Sequence, residues 1–322
     1  PFLQRTNKKD ITIQEILYHQ SGLPSWLPFY QEVIDKDSYK GRLFSARRDA
    51  QHPVNIGTNT WANPNFKFKE EYVSPTKTGD YTIQICDNLW LNRSFRKVIE
   101  EKIVEAPLGQ KRYVYSDIGF ILLGMLVEQL AGMPMEAYLQ SEFYEPLGLE
   151  RTGYLPLRRL AKSEVVPSNN DRFLRKDTVH DEASAFFGGL AGNAGLFSTA
   201  REVARVYQML LNGGEIDGRR YLSKETCQLF TTSVSKISRR GLGFDKPDRE
   251  DSKKGNCAPD APAEVYGHTG FTGTCAWVDP VNELVYVFLS NRIYPDVTNR
   301  KLIRLHIRER IQEVIYDAMK KK

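Results

Sequence analysis

The sequence predicts an α+β protein: an antiparallel sheet packed by N- and C-terminal-side helices, with a helical subdomain between them. Three observations lead there. Residues 272–278 and 284–290 are strand-like runs joined by Asp279-Pro280-Val281-Asn282-Glu283, which reads as a hairpin. The helical segments precede these strands instead of alternating with them, which excludes the repeated βα units of a doubly wound sheet. After the strands, residues 299–320 place Leu302, Leu305, Ile311, Val314, Ile315 and Ala318 at helical spacing, an amphipathic helix suited to cover the sheet.

From the N-terminus, Thr12 and Glu15 form a capping-box pattern that predicts a helix over 13–20, with Gly22 placed to end it. Residues 31–80, rich in Asn, Gly, Pro and mixed charge, read as a surface insertion with little regular structure. The apolar positions between Thr82 and Ile103 predict one or two helices. Ile118–Gly132 is the strongest helical signal, apolar on nearly every face and therefore expected to be buried, with Gly132 as its left-handed cap and Pro134 opening the next helix. Residues 199–212 give another helix, ending at Gly213-Gly214. Residues 246–262 read as a polar, mobile connection.

The chain has 322 residues, 41% of them hydrophobic, enough for a sizeable core in one large domain or two ordinary ones. Its net charge of +5 comes from interleaved acidic and basic residues, and the one basic run, Lys320–Lys322, reads as a solvated helix end. Nucleic acid is therefore not an expected partner. The four cysteines show no zinc-type spacing and imply no disulfide. No run approaches the roughly 18 apolar residues of a membrane span.

YGHTGFTGT, residues 266–274, is the most suggestive stretch. A phosphate loop needs its glycines at a strand-to-helix turn, whereas this stretch runs on into strand residues. A metal site needs partners for His268, and His19, His52, His180 and His306 stand isolated in sequence. No cofactor is implied. What remains is a strand edge whose N–H groups and Thr hydroxyl receive a substrate carbonyl, with glycine permitting close approach, or a bare hairpin strand.

The order of segments resembles the penicillin-recognising serine hydrolases: class C β-lactamases, low-molecular-weight penicillin-binding proteins and related esterases. The residues that carry this are ITIQEILYHQSGLP at 11–24, YSDIGFILLGMLVEQLAGMPMEAYLQSEFYEPLGLERTGY at 115–154, AGLFSTAREVARVYQMLLNGGEIDGRRYLSKET at 194–226, GLGF at 241–244 and HTG at 268–270. Finer details, such as VHDEASAFFGGLAGNAGLFS, look most like the β-lactamase-like domain that some gut Bacteroidetes append to a family 3 glycoside hydrolase. The resemblance implies a β-lactamase/transpeptidase-like fold, a periplasmic or cell-surface location, a small-molecule or peptidoglycan-like substrate and an upstream glycoside hydrolase domain as a partner. By the same resemblance, Tyr115 is the phenol that shuttles the proton of a nucleophilic serine and Asp117 stands where relatives carry asparagine. His268-Thr269-Gly270 replaces Lys-Thr-Gly, the Phe271 N–H gives half of an oxyanion hole, and Asn193 in the 189–195 wall is a substrate contact.

These residue types constrain the chemistry. A tyrosine is a poor base at pH 7 unless cations favour its phenolate, and here a mostly neutral histidine stands where relatives keep lysine, as in the esterase members. An ionised Asp117 only accepts hydrogen bonds, so efficient β-lactamase activity is not expected. The family nucleophile lies in Ser-x-x-Lys on a buried helix. The occurrences here, Ser74–Lys77, Ser94–Lys97 and Ser233–Lys236, lack that setting: a helix broken by Gly79, an exposed turn and a polar stretch. The expectation is that the sequence begins inside the domain, without its first strands and nucleophile helix, and that this chain is inactive alone. The other reading is a non-catalytic module that binds cell-wall peptide or sugar, or supports a fused glycosidase.

Overall fold

Residues 2–57, 59–168, 179–248, 250–251 and 255–321 are described by the computed structural model. The Thr12 capping box forms: Thr12 Oγ1 accepts from the Glu15 N–H at 3.1 Å and Glu15 Oε2 accepts from the Thr12 N–H at 3.0 Å. Helix α1 (Ile13–Leu17) nevertheless stops before Gly22, because His19 takes the left-handed conformation first, with φ 54°.

The segment predicted as an unstructured surface insertion holds six short strands: β1 (Ile34–Asp35), β2 (Phe44–Ser45), β3 (Val54–Gly57), β4 (Thr60–Ala62), β5 (Lys67–Phe68) and β6 (Val73–Ser74). They pair as β1-β5 and β2-β4-β3, while β6 joins a later hairpin. Val33, Ile34 and Val73 enter the principal core beside Phe29 and Tyr30, so the segment is not confined to the surface. Two-residue strands are too short to leave a period in the sequence.

Of the stretch from Thr82 to Ile103 predicted as one or two helices, the latter part is helix α2 (Phe95–Glu105), whereas the earlier part belongs to the hairpin β7 (Tyr81–Cys86) and β8 (Leu89–Asn92). Tyr81-Thr82-Ile83-Gln84-Ile85 alternates exposure along the strand, a period of two that outweighs the helical spacing of its apolar residues. Helix α3 (Asp117–Ala131) ends at Gly132, with φ 67°. Only its N-terminal half is buried, at Ile118, Ile121 and Leu122, whereas Leu130 is 77% exposed. Helix α4 (Met135–Leu139) continues into a π-turn over Gln140–Tyr144. Then come α5 (Glu182–Ala185), α6 (Ala200–Leu211, capped by Thr199), the small hairpin β9 (Glu215–Ile216) and β10 (Arg219–Arg220), and α7 (Lys224–Thr231).

Residues 249 and 252–254 of the predicted mobile connection lie outside the described residues. Its described part is packed: Lys246 is buried, its Nζ donating to Thr231 O at 2.9 Å and Glu264 O at 3.1 Å, and Cys257 and Ala258 are buried.

The sheet that carries HTG has the order β11 (Tyr266–Thr269), β12 (Cys275–Asp279), β13 (Leu284–Phe288), antiparallel throughout. Val265, Cys275, Trp277 and Tyr286 form its core, with Ile311 and Ile315 packed against it. The predicted C-terminal helix is two, α8 (Lys301–Arg304) and α9 (Ile307–Lys320), broken where His306 adopts φ 49°. Tyr286 donates to Arg308 O at 3.0 Å and Tyr316 to Asp279 at 2.8 Å, tying α9 to the sheet. All four cysteines are free thiols. Among the described residues no single helix is long and apolar enough to cross a membrane.

Candidate active site

Tyr115 sits in an irregular segment just before α3, clasped by the segment after α1. The Val114 N–H donates to His19 O at 2.8 Å, the Ser116 N–H to His19 Nδ1 at 3.0 Å, and the Asp117 N–H to Ser25 O at 2.9 Å. Ser116 caps α3 by accepting from the Gly119 N–H at 3.3 Å, and its hydroxyl donates to Pro24 O at 2.7 Å. The clasp leaves the Tyr115 side chain 43% exposed over a line of rings: His19 at 4.4 Å between centroids, with Phe120 beyond His19 at 5.0 Å, and His268 at 6.0 Å.

His268 lies on β11, whose outer side is paired, among the described residues, only at Gly267, through an isolated bridge to Asp245 with hydrogen bonds of 2.7 and 3.0 Å. Strand alternation turns the Thr269 N–H and C=O to that same outer side, beyond the bridge. His268 Nδ1 lies 2.7 Å from Thr269 O, an acceptor only, so Nδ1 carries the proton in the assigned tautomer and Nε2 is left as an acceptor. Burial and the Arg240 charge push the His268 pKa below its usual value, which keeps the ring neutral. The Gly270 N–H is engaged by Thr274 O at 2.8 Å. The Phe271 ring is 65% exposed, stacked on His180 at 5.5 Å with the Arg292 guanidinium 4.4 Å from its centre.

The far wall joins Asp117 to Asn193. The Asn193 amide donates to Asp181 at 3.2 Å, and hydrogen bonding from it also favours the Asp117 carboxylate. Burial, then the Asp181 charge, outweigh it and push the Asp117 pKa up to about 6. Burial of the ring face packed on His19 and the Asp117 charge push the Tyr115 pKa up, with Arg240 opposing.

Tyr115, Asp117, Asn193, His268 and Thr269 thus come from segments far apart in sequence, with Gly270 and Phe271 in the turn that follows β11. Two site residues escaped sequence reasoning. His19, which read as isolated, lies against Tyr115; buried to 2% exposure, its pKa falls to about 3, chiefly through burial and then the Arg240 charge. Arg240, 3% exposed, has its guanidinium carbon 5.4 Å from the Tyr115 ring centre. The signal for both lay with the segments that carry the resemblance: His19 is inside ITIQEILYHQSGLP at 11–24, and Arg240 immediately precedes GLGF at 241–244. His180, also isolated in sequence, stacks on Phe271.

A model of the family described as Beta-lactamase matches residues 1–308. The chain belongs to the beta-lactamase family. A protein of Escherichia coli (strain K12) named for D-alanyl-D-alanine carboxypeptidase activity is 34% identical over 218 residues, 62% of this chain and 50% of that protein. A Salmonella typhi protein of the same name is 32% identical over 221 residues, covering 63% and 51%. The chain spans about half the length of these relatives. Among solved structures, the octameric penicillin-binding protein homologue from Pyrococcus abyssi aligns over 94% of this chain and 57% of its own, with TM-score 0.54 and 18% identity. EstCE1, a hydrolase with promiscuous acyltransferase activity, aligns over 92% of this chain and 71% of its own, with TM-score 0.53 and 16% identity. At such identities the two structures establish the fold.

The raised Asp117 pKa gives this family member a pH signature. The folded protein holds the Asp117 proton more tightly than the unfolded chain, whose carboxyl titrates near 3.8, so stability is highest below that value and falls as pH rises toward 6. Asp117→Asn removes this loss. Chemical denaturation is expected to show the variant more stable than wild type by about 1–3 kcal/mol at pH 7.5, with a much smaller difference at pH 4.5. A difference that does not grow with pH contradicts the assignment.

Proposed function

We propose that this chain forms the substrate-carbonyl side of a serine hydrolase that acts on an amide or ester through an acyl-enzyme. The observation that carries the reading is the Tyr115 ring 6.0 Å from the His268 ring on β11, whose Thr269 N–H is turned to the side away from β12, an arrangement that suits a substrate carbonyl. In this reading the Tyr115 phenolate takes the proton of the attacking serine and returns it to the leaving group. The Phe271 N–H donates to the oxyanion as charge develops there. Asn193 and Asp117 bind the amide or ester flank, with Asp117 able to donate as well as accept below about pH 6.

The relatives named for D-alanyl-D-alanine carboxypeptidase activity favour a cell-wall peptide amide as substrate and a periplasmic or cell-surface location. The likeness to domains fused to family 3 glycoside hydrolases favours such a domain of the same polypeptide as the partner.

The Ser-x-x-Lys sequences do not supply the nucleophile. Ser74 donates to Thr76 O at 2.8 Å while Lys77 lies over the Trp90 ring. Ser94 and Lys97 are exposed at the start of α2. Ser233 points to Ser238 O at 3.4 Å while Lys236 is exposed. Residues 1–322 alone are therefore expected to leave nitrocefin and p-nitrophenyl acetate at their buffer rates; turnover that disappears in Tyr115→Phe overturns this. The hydrolase reading itself is tested by labelling a longer native polypeptide that carries this sequence with fluorescent penicillin and fluorophosphonate. Mapping should find one modified serine, in a Ser-x-x-Lys, whose labelling slows sharply in Tyr115→Phe.

A further inference from the structure

The charges beside Tyr115 are unequally shared. Arg239 takes both oxygens of Asp245, through Nε at 2.9 Å and Nη2 at 3.1 Å, and reaches Asp248 through Nη1 at 3.4 Å. Arg240 donates through Nε to the Tyr113 hydroxyl at 3.1 Å, and its Nη2 comes no nearer than 3.8 Å to Asp245. Its Nη1 is buried with no hydrogen-bond partner. A bidentate pair neutralises far more effectively than a contact at 3.8 Å, so the uncompensated positive charge of this cluster rests on Arg240.

That charge stands against the Tyr115 ring. Of the basic groups around it, His19 and His268 are held neutral by burial and by Arg240 itself. His19 is further fixed as the Nε2–H tautomer, because Nδ1 accepts from the Ser116 N–H. The acidic groups facing Tyr115, namely Asp117 and Tyr113 on its own segment and Asp181 at the cap of α5, all oppose phenolate formation. A guanidinium keeps its charge across the accessible pH range.

We propose that Arg240 is a positioning residue that supplies the charge by which Tyr115 serves as a proton acceptor, an inference that rests on the role proposed above for Tyr115. It predicts that the positive charge, more than the shape of the arginine, governs the Tyr115 phenol.

The test is titration of a fluorinated tyrosine incorporated at position 115, followed by 19F NMR in the whole chain, which reads the charge without requiring turnover. Arg240→Gln is expected to raise the midpoint by about 1 pH unit or more, the effect of losing an opposite charge at this range. Arg240→Lys should move it much less, and Arg239→Gln, which removes a charge held over Tyr113 and on Asp245 and not against the Tyr115 ring, should raise it by less than Arg240→Gln. Should Arg240→Gln fail to fold, Asp245→Asn is the second arm: it frees positive charge and is expected to lower the midpoint. Equal shifts from Arg239→Gln and Arg240→Gln, or an unmoved midpoint in Asp245→Asn, overturn the inference. If Tyr115→Phe leaves acylation of a longer native polypeptide unchanged while these shifts appear, the role of Tyr115 fails and the charge assignment stands.

Discussion

Trp277→Ala is expected to lower the free energy of unfolding by about 3–5 kcal/mol, the range for emptying a large aromatic site in a packed core. Trp277 is 1% exposed on the central strand β12, paired with Gly267 on one side and Tyr286 on the other. The pairing with glycine has a steric cause. A Cβ at position 267 would lie 2.7 Å from Trp277 Cε3 and 2.1 Å from Ala276 O, so the bare Gly267 backbone makes room for the indole. Truncating the indole removes the support beneath β11 next to His268, and a neighbouring glycine has no side chain with which to fill the cavity. Guanidinium denaturation followed by fluorescence of the remaining tryptophans and by far-UV circular dichroism measures the loss. A change below about 1 kcal/mol would mean that β12 is not the centre of this core.

Legibility in the sequence followed the length of each element and the locality of its contacts. Helix α6 carries a long period and its own Thr199 cap, so 199–212 could be read directly. The HTG strand could be read as a sheet edge because its glycines continue into Cys275-Ala276-Trp277-Val278. The strands between 34 and 74 could not, since two to four residues carry no period and their pairing partners lie elsewhere in the chain. The hairpin at 81–92 was misread because Ile83, Leu89 and Trp90 also fit a helix, and only cross-strand pairing resolves the ambiguity. In the site, residues inside the family-like segments were visible as motifs. His19, though inside one of them, and Arg240, beside another, carried no visible role, because their significance lies in distances to Tyr115 across 96 and 125 positions of sequence. Asp117 was visible, but its raised pKa depends on burial and on Asp181, which no spacing reveals.

Gly192→Ala carries the second large effect, because it disturbs the wall that holds Asn193 over Asp117. A Cβ at position 192 would lie 2.1 Å from Phe120 O and 3.0 Å from the nitrogen of Gly124, both backbone atoms of α3. Neither can move without breaking the helix, so the loop must lift away. The expected cost is about 2–3 kcal/mol, the upper part of the overpacking range. Gly132→Ala is the matched control: its Cβ meets nothing within 4 Å, and its φ of 67° costs only the left-handed strain of about 1–2 kcal/mol. The two substitutions separate further in the site. Lifting the loop draws the Asn193 amide away from Asp117 and removes a hydrogen bond that favours its carboxylate, while burial and the Asp181 charge continue to act on it. In Gly192→Ala the Asp117 carboxyl, followed by 13C NMR, should therefore titrate above its wild-type midpoint of about 6, and in Gly132→Ala it should not move. An unmoved midpoint in a folded Gly192→Ala protein would show that Asn193 reaches Asp117 independently of the contact between this loop and α3.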